Sequence, residues 1–221
     1  MTEEAGGLAL AIDGSRRGAP LVVVASRVGR LLWRSPEVAA DPALERSVGM
    51  ALARYRERIE LVLAVRGPGS YIGVRSGLAA ALGVAQGRGC PLALIGALEL
   101  VAHTAEPDGG ITLALADAGR GGTYGQLLAP APEREGSGTL RWRTRGPAQL
   151  LGRELPWPKA WQEAACIVGT AGSGRELPRM SALTPCRSRA GAVAELIRLG
   201  PTPISAYDQV AADYAEPLGV R

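Results

Sequence analysis

A glycine-rich segment in the middle of the chain has the residue types of a ligand-binding loop: Gly67-Pro68-Gly69-Ser70-Tyr71-Ile72-Gly73-Val74-Arg75. It follows an apolar run, Leu61–Val65, which predicts a buried strand, and precedes an Ala/Gly/Leu-rich stretch, 76–89, which predicts a helix. A glycine turn between a strand and a helix usually presents backbone N–H groups to an anion or to a partner. The glycine spacing, however, fits neither a Walker A loop, which needs a Lys and a hydroxyl residue, nor the GxGxxG dinucleotide fingerprint.

The same segment predicts the start of a packed helix. Ser70 is placed to cap this helix, and small residues recur four apart along it, at Gly73, Gly77, Ala81 and Ala85. Such a ridge lets another element approach closely, so that backbone and methyl contacts replace long side chains. The ridge serves either packing within the chain or a partner helix, and the composition alone favours the first.

The rest of the first half predicts the elements that hold this segment. Three short apolar runs (8–12, 21–25 and 28–33) predict a strand meander, and Asp41-Pro42 has the residue types of a helix start. Apolar residues then recur every three or four positions, at Leu44, Val48, Leu52, Tyr55 and Ile59. With strand 61–65, helix 71–87, strand 91–95 and helix 97–105, the order is β-β-β-α-β-α-β-α. This is the order of one ribonuclease-H-like lobe of the actin-like α/β fold.

The second half repeats this order in a shorter form after the turn at 107–110. It offers strand candidates at 111–116, 123–129, 139–144 and 166–169, and helix candidates at 147–153 and 189–199. Segments 130–138 and 174–187, rich in Pro, Gly, Ser and charge, are predicted to be loops. We therefore predict two ribonuclease-H-like lobes, mixed sheets flanked by helices, over residues 1–107 and 108–221.

Three segments lie where an actin-like ATPase would bind a nucleotide. Asp13-Gly14-Ser15 follows the first strand, Asp117-Ala118-Gly119 follows the first strand of the second lobe, and Val168–Gly174 has the place of the adenosine segment. Asp and Gly are ordinary turn residues, so their joint placement supports the fold more than it supports ATP hydrolysis. Arginines crowd the first turn, and the second lacks a hydroxyl residue. We predict at most a vestigial nucleotide site at Asp13, Ser15, Asp117 and Gly169.

Other side chains offer little chemistry. His103 is the only histidine and lies among Ala and Thr on a predicted helix, which argues against a metal site. A catalytic dyad or triad would need His103 beside Ser70 or Cys90, and no GxSxG nucleophile elbow is present; we expect a surface histidine. Arg141, Arg143 and Arg145 alternate along a strand and predict a solvated face, with RNA contact as the alternative.

The composition indicates the cellular compartment of the protein but not its activity. The chain has 221 residues, of which 47% are hydrophobic, and a net charge of +4, which permits contact with nucleic acid without predicting it. Its three cysteines are dispersed and odd in number, which favours a reducing compartment. No apolar run has the length of a signal peptide or of a membrane span. We expect a cytoplasmic protein that does not contact a membrane.

Taken together, these segments resemble the TsaB (YeaZ-type) family, whose hallmark is a GPGSFTGLR-type segment between a strand and a Gly/Ala-rich helix. The chain matches that hallmark at Gly67, Pro68, Gly69, Ser70, Gly73 and Arg75, with Tyr71 in place of Phe. Leu10-Ala11-Ile12-Asp13, Cys90-Pro91-Leu92, Leu115–Ala118 and Glu216-Pro217-Leu218 also resemble family segments. Departures are Ile72 in place of Thr, Asp-Gly-Ser rather than Asp-Thr at the first turn, and a shortened connection after the first long helix.

The resemblance implies a non-catalytic subunit that supports threonylcarbamoylation of adenosine in ANN-reading tRNAs. It implies a heterodimer with a TsaD-type transferase, joined by a TsaE-type ATPase, and leaves open whether the chain forms a homodimer when it is alone. It further implies indirect or weak tRNA contact, and no cofactor beyond weak ATP or ADP at the partner interface. The partner would then dock on the first-lobe helices, with the stripe Leu44, Val48, Leu52 and Tyr55 and the ridge Gly73, Gly77, Ala81 and Ala85 as candidates. The alternatives are an actin-like ATPase or small-molecule kinase, and a peptidase.

Overall fold

The structure, a computed structural model, describes residues 7–36, 43–107, 109–132, 140–174, 176–177, 180–207, 210–213 and 216–217. The chain divides into two compact units. The first consists of residues 1–97 and 193–213, and the second of residues 98–192 and 214–221. The predicted helix start at Asp41-Pro42 lies outside the described residues. No helix among the described residues is long and apolar enough to cross a membrane.

The first unit is a five-stranded mixed sheet covered by two helices. Its strands and helices are β1 (Leu8–Asp13), β2 (Leu21–Ser26), β3 (Leu31–Arg34), α1 (Ala43–Tyr55), β4 (Ile59–Val65), α2 (Tyr71–Arg88) and β5 (Leu92–Ile95). The sheet order is β3-β2-β1-β4-β5; β1 and β2 are antiparallel, whereas β4 is parallel to β1 and to β5. This is the predicted ribonuclease-H-like arrangement.

The core of the first unit forms because β1 and β4 are apolar on both faces, as strands buried on both sides must be. Leu8, Leu10 and Ile12 alternate along β1 and pack in one cluster with α1 and α2, whose Val48 and Ala81 are buried there. The alanines between them, at positions 9 and 11, are buried as well. Ile59, predicted as the last residue of the α1 stripe, begins β4 after a 3-10 turn at Arg56–Arg58.

Residues 193–213 return to the first unit. Residues of 193–213 follow the edge of β5: Pro203 bridges Ala93, and the N–H of Ile204 donates to the carbonyl of Leu92 over 2.8 Å. Farther on, the N–H of Asp213 donates to the carbonyl of Arg66 over 2.6 Å. The unit boundary also falls at 97/98 rather than at 107. Helix α3 (Ala97–Ala102) places Leu98 and Ala102 in the core of the second unit, and sequence periodicity does not report such an assignment.

The second unit repeats the same strand order, with several strands of only two to five residues. It contains β6 (Thr112–Gly119), β7 (Gly122–Pro132), β8 (Leu140–Thr144), β9 (Gln149–Leu151), β10 (Cys166–Gly169), β11 (Ser181–Ala182) and β12 (Glu216–Pro217), and helix α4 (Arg189–Arg198) ends in the first unit. The sheet order is β11-β10-β6-β7-β9-β12, with β8 also pairing β7. A 3-10 turn at Lys159–Glu163 lies between β9 and β10.

One predicted helix is a strand. The sequence predicts a helix over 147–153, whereas Gln149–Leu151 forms β9, in which Leu151 pairs with Thr123 and Leu150 with Tyr124. The apolar run is too short for its periodicity to separate helix from strand, and tertiary pairing decides. Two predicted loops also contain strand residues: 130–132 end β7, and Ser181–Ala182 is β11; part of each loop lies outside the described residues.

The three thiols are free, and two of them are buried. Burial raises the pKa of the Cys90 thiol, and the neighbouring Arg88 guanidinium lowers it only in part. At about pH 8 we expect one fast reaction with a thiol reagent, at the exposed Cys186, and reaction of Cys90 and Cys166 only after denaturant is added. A Cys186→Ser variant serves as the control because it should lose the fast phase alone. Fast labelling of the folded variant would contradict the buried positions.

A raised pKa also fixes how stability responds to pH. The folded Cys90 thiol titrates above the unfolded one, whose pKa is about 8.5. Its contribution to stability is therefore fully present below about pH 8.5 and is lost as the pH rises through the folded value.

Candidate functional site

The glycine-rich segment starts α2 and is tied to the first turn of the chain. The N–H of Ser70 donates to the carbonyl of Ser15 over 2.7 Å. The Ser70 Oγ accepts the N–H of Gly73 over 3.4 Å, which is the N-cap that the sequence predicts. At the other end of the segment, Gly67 has φ +109°, a conformation that favours glycine, and its carbonyl accepts the N–H of Ala97. The segment thus joins β1, β5 and α2.

Backbone contact between α2 and the first turn requires glycine on both sides. A β-carbon on Gly73 would overlap the carbonyl oxygen of Gly14, and one on Gly14 would overlap the carbonyl oxygen of Gly73. A β-carbon on Gly69 would likewise lie 2.8 Å from the Cα of Ser15. Because these neighbours are backbone atoms, they cannot move aside as a side chain would. The glycines of the hallmark are therefore explained by close packing within the first unit.

This packing occupies the inner side of the Asp13-Gly14-Ser15 turn, which the sequence analysis names as a candidate phosphate-binding turn. Asp13 is buried, at 1% exposure, and its Oδ1 accepts the N–H of Ser15 over 2.8 Å. Gly14 lies against Gly73, and the carbonyl of Ser15 is bonded to Ser70. The backbone of the turn is therefore packed against α2. A nucleotide role for Asp13 and Ser15 stays a prediction.

The two nucleotide-like segments of the second unit are ordinary parts of its sheet. Asp117 is exposed, and its Oδ1 accepts the N–H of Gly119 over 2.7 Å, as in a common Asx turn. The N–H of Thr170 donates to the carbonyl of Leu115, against which Gly169 packs, and the N–H of Gly172 donates to the Oγ1 of Thr123. A β-carbon on Gly169 would overlap the carbonyl oxygen of Leu115, and one on Gly172 that of Gly122, so packing within the unit accounts for both glycines. A nucleotide role for Asp117 and Gly169 also stays a prediction.

The small-residue ridge lies inside the first unit. Ala81 and Ala85 are completely buried in its core, and a β-carbon on Gly77 would lie 3.3 Å from the N of Gly14. The α1 stripe packs against the same core: Val48 is buried, and Leu44, Leu52 and Tyr55 are partly buried. These residues, with Gly73, build the unit, and their role in partner binding stays a prediction. Residues on the opposite faces of α1 and α2 are the ones that a partner can contact.

The opposite face of α2 is uncharged over three turns. Its exposed residues Ile72, Ser76, Ala79, Gly83 and Gly87 recur at helical spacing, and Ile72 is 75% exposed. A β-carbon on Gly83 or Gly87 would have no neighbour within 4 Å among the described residues, apart from its own helix turn. An interior helix glycine costs about 0.5–1 kcal/mol relative to alanine, and no contact among the residues that the structure describes explains these two. We call Ile72, Ser76, Ala79, Gly83 and Gly87 the outer face of α2.

Helix α1, which contacts α2, also has an uncharged stretch on its solvent side. On its solvent side Gly49 has open space around a β-carbon, Met50 is 49% exposed and Ala53 is exposed. Arg75 lies 4.1 Å over the exposed ring of Tyr71 at the start of α2. The outer face could not be recognised from the sequence alone. The ridge at 73, 77, 81 and 85 has similar small residues at similar spacing, so the pattern does not show which of the two faces is exposed.

The remaining candidates belong to the second unit. His103, expected on the surface, is buried at 5% exposure at the end of α3, where its N–H donates to the carbonyl of Glu99. Arg143, in the last part of β8, and Arg145, directly after β8, are both exposed, whereas the neighbouring Trp142 is buried. Among the described residues, no group of three or more His, Cys, Asp or Glu side chains is placed to hold a metal ion.

These features define the class of the protein: two α/β units, each with the ribonuclease-H-like strand order, as in the actin-like fold. Solved structures of this fold agree. YeaZ from Pseudomonas aeruginosa matches with a TM-score of 0.65 and 22% identity over 94% of this chain and 99% of that one. An uncharacterised protein with similarity to the peptidase YeaZ, from the same organism, matches with a TM-score of 0.64 and 20% identity over 95% and 100%.

The resemblance to the YeaZ-type family is thus confirmed at the level of the fold. Residues 39–128 also match the family model of TsaD, the tRNA N6-adenosine threonylcarbamoyltransferase. That stretch contains α1, β4, the glycine-rich segment and α2. No curated protein sequence matches the chain.

Proposed function

We propose that this chain is a non-catalytic subunit of the YeaZ (TsaB) type, which binds a TsaD-type transferase and supports threonylcarbamoylation of adenosine in ANN-reading tRNAs. The fold shared with YeaZ over most of the chain and the match of residues 39–128 to the TsaD model support a role in this modification system. At 22% sequence identity, the structural likeness to YeaZ supports the shared fold alone. The surface of the first unit supplies the further argument.

The outer face of α2 carries the proposal. A helix on the surface of a soluble unit normally has charged residues toward the solvent. Between Ser76 and Gly87, α2 has none, and Gln86 is its most polar exposed side chain. Small residues at Ala79 and Gly83 let a second helix approach closely. An uncharged, small-residue face of this length fits the close packing of a partner helix.

The chemistry is assigned to the partner. A metal-binding histidine pair cannot form in a chain with one histidine, and that histidine is buried. An actin-like ATPase or kinase is the less favoured alternative, because α2 fills the turn at Gly14. Binding of a TsaE-type ATPase, homodimer formation without the partner, weak ATP or ADP at the interface and a cytoplasmic location stay predictions.

Reconstitution tests the proposal. The full chain and a TsaD-type protein are co-purified, and threonylcarbamoylation of an ANN-reading tRNA transcript is measured with this chain present and omitted. We expect a stable complex and a loss of modification when the chain is omitted. Full modification without the chain, or no complex at micromolar concentrations, would overturn the proposal. Phosphate release from ATP by the isolated chain would favour the ATPase alternative.

A further inference from the structure

We propose that the first unit binds RNA phosphates through a basic edge, defined as Arg27, Arg30, Arg54, Arg56, Arg58, Arg88 and Arg198. RNA as the anion rests on the proposed function, whereas the existence of the basic edge does not. The edge lies where β1 and β4 begin, at the opposite end of β1 from the Asp13 turn.

Strand register brings these arginines together. Leu8 at the start of β1 pairs with Ser26 on one side and with Ile59 on the other. Arg27 follows Ser26, and Arg58 precedes Ile59, so the two residues flank β1 on adjacent strands. Neighbouring strands lie about 4.8 Å apart, which puts the two backbones about 10 Å apart. The β2–β3 turn therefore lies beside the α1–β4 connection.

Three further contacts extend the edge. The N–H of Arg30 donates to the Ser26 Oγ over 3.1 Å, which closes the turn that carries Arg27. The Arg88 guanidinium donates to the backbone carbonyl of Glu57 over 3.3 Å, which brings the end of α2 to the 56–58 turn. A β-carbon on Gly29 would lie 2.8 Å from the Cβ of Arg198, which places the end of α4 beside the β2–β3 turn.

The edge has a strong excess of positive charge. Against its seven arginines, the described residues place three glutamates, Glu57, Glu60 and Glu195. Glu57 is shared between Arg56 at 3.8 Å and Arg88 at 3.5 Å, and Glu195 pairs with Arg198 at 2.8 Å. Seven arginines against these three glutamates leave an excess of four positive charges at the edge.

Helix dipoles explain only part of this cluster. Arg54, Arg88 and Arg198 lie in the last turns of α1, α2 and α4, where a cation stabilises the helix end. Arg27 and Arg30 lie in the β2–β3 turn rather than in a helix, and Arg56 and Arg58 lie in the 3-10 turn after α1; all four are exposed. Arginines on two adjacent turns offer paired hydrogen bonds to phosphate oxygens. The edge also adjoins the ends of α1 and α2, so RNA held there would lie beside the proposed partner surface.

Charge reversal tests the inference. Binding of an unmodified ANN-reading tRNA transcript to the full chain is measured by fluorescence anisotropy over a salt series, for the wild type, Arg27→Glu/Arg30→Glu and Arg56→Glu/Arg58→Glu. We expect each pair to raise the Kd at least tenfold. We also expect a shallower slope of log K against log salt, since the slope falls by about 0.7–0.9 for each phosphate that the variant no longer neutralises. The matched control Arg143→Glu/Arg145→Glu, with the same change of charge on exposed residues, should alter the Kd less than twofold.

The outcomes separate this inference from the proposed function. Equal losses of affinity in the edge variants and in the control, or no wild-type binding at micromolar concentrations, would overturn it. Loss of binding to phosphatidylglycerol-containing vesicles with unchanged RNA affinity would also overturn it and indicate a membrane surface. Circular dichroism checks that each variant is folded. If a glutamate double variant unfolds, the corresponding variant with alanine at the same two positions is used instead. Capture of the TsaD-type protein by the edge variants should be unchanged, so loss of RNA binding alone leaves the proposed function intact.

Discussion

Replacing Gly73 by alanine is expected to lower the free energy of unfolding by at least about 3 kcal/mol. The added β-carbon would overlap the carbonyl oxygen of Gly14, and the first turn cannot retreat because Asp13 and Ser15 are buried around it. Separating α2 from the turn would also break the hydrogen bond from the Ser70 N–H to the Ser15 carbonyl. Urea unfolding followed by circular dichroism measures the difference.

Gly83→Ala is the matched control for this prediction. It makes the same chemical change in the same helix, between two and three turns farther along, where a β-carbon has open space among the described residues. Alanine is favoured over glycine in a helix interior by about 1 kcal/mol, so this variant should be more stable than the wild type. A destabilisation of similar size in both variants would contradict the contact with Gly14 as its cause, because helix propensity alone favours alanine at both positions.

The fold of the first unit could be predicted from the sequence because its signals are local and mutually consistent. Apolar runs predict β1, β2, β4 and β5 to within about two residues, and the order of elements implies the strand order of the sheet. Ser70 is identifiable as the cap of α2 from its residue type and position. These features depend on periodicity and on capping chemistry, both of which are written in short stretches of sequence.

The orientation of α2 could not be predicted in the same way. Its small residues form two stripes on opposite faces, one through Gly77 and Ala81 and the other through Ala79 and Gly83. Periodicity is equal for both stripes, and charge does not separate them, since α2 has only Arg75 and Arg88. The first turn decides which stripe is buried, because Gly14 receives Gly73 and Gly77.

The other errors also come from contacts distant in sequence. Gln149–Leu151 is a strand because β7 offers it a partner, and the same residues have no such preference alone. His103 is buried because α3 belongs to the second unit, where its neighbours Leu98 and Ala102 pack on Ala114 and Val168. The basic edge joins residues from four connections of the chain, and its members are up to 171 positions apart (Arg27 to Arg198). Sequence reasoning treats these arginines singly, whereas the sheet brings them together.

The outer face of α2 gives the largest expected effect on binding. Ala79→Glu should weaken binding of the TsaD-type protein at least about 100-fold, or about 3 kcal/mol, since a carboxylate without a partner would be buried between packed helices. The fold should be unaffected because Ala79 is exposed in the free chain. Biolayer interferometry with the immobilised partner measures the Kd, and urea unfolding checks stability.

Ala160→Glu controls for the added charge. Ala160 is likewise exposed, in the 3-10 turn of the second unit, and the substitution should leave the Kd within twofold of the wild type. Gly83→Leu provides an uncharged test, because its bulk would hold the partner helix away while leaving α2 free of clashes within the chain. Undiminished binding by folded Ala79→Glu and Gly83→Leu would place the partner elsewhere. Loss of binding in both, with the control intact, would assign the outer face to the partner and the buried ridge to the fold.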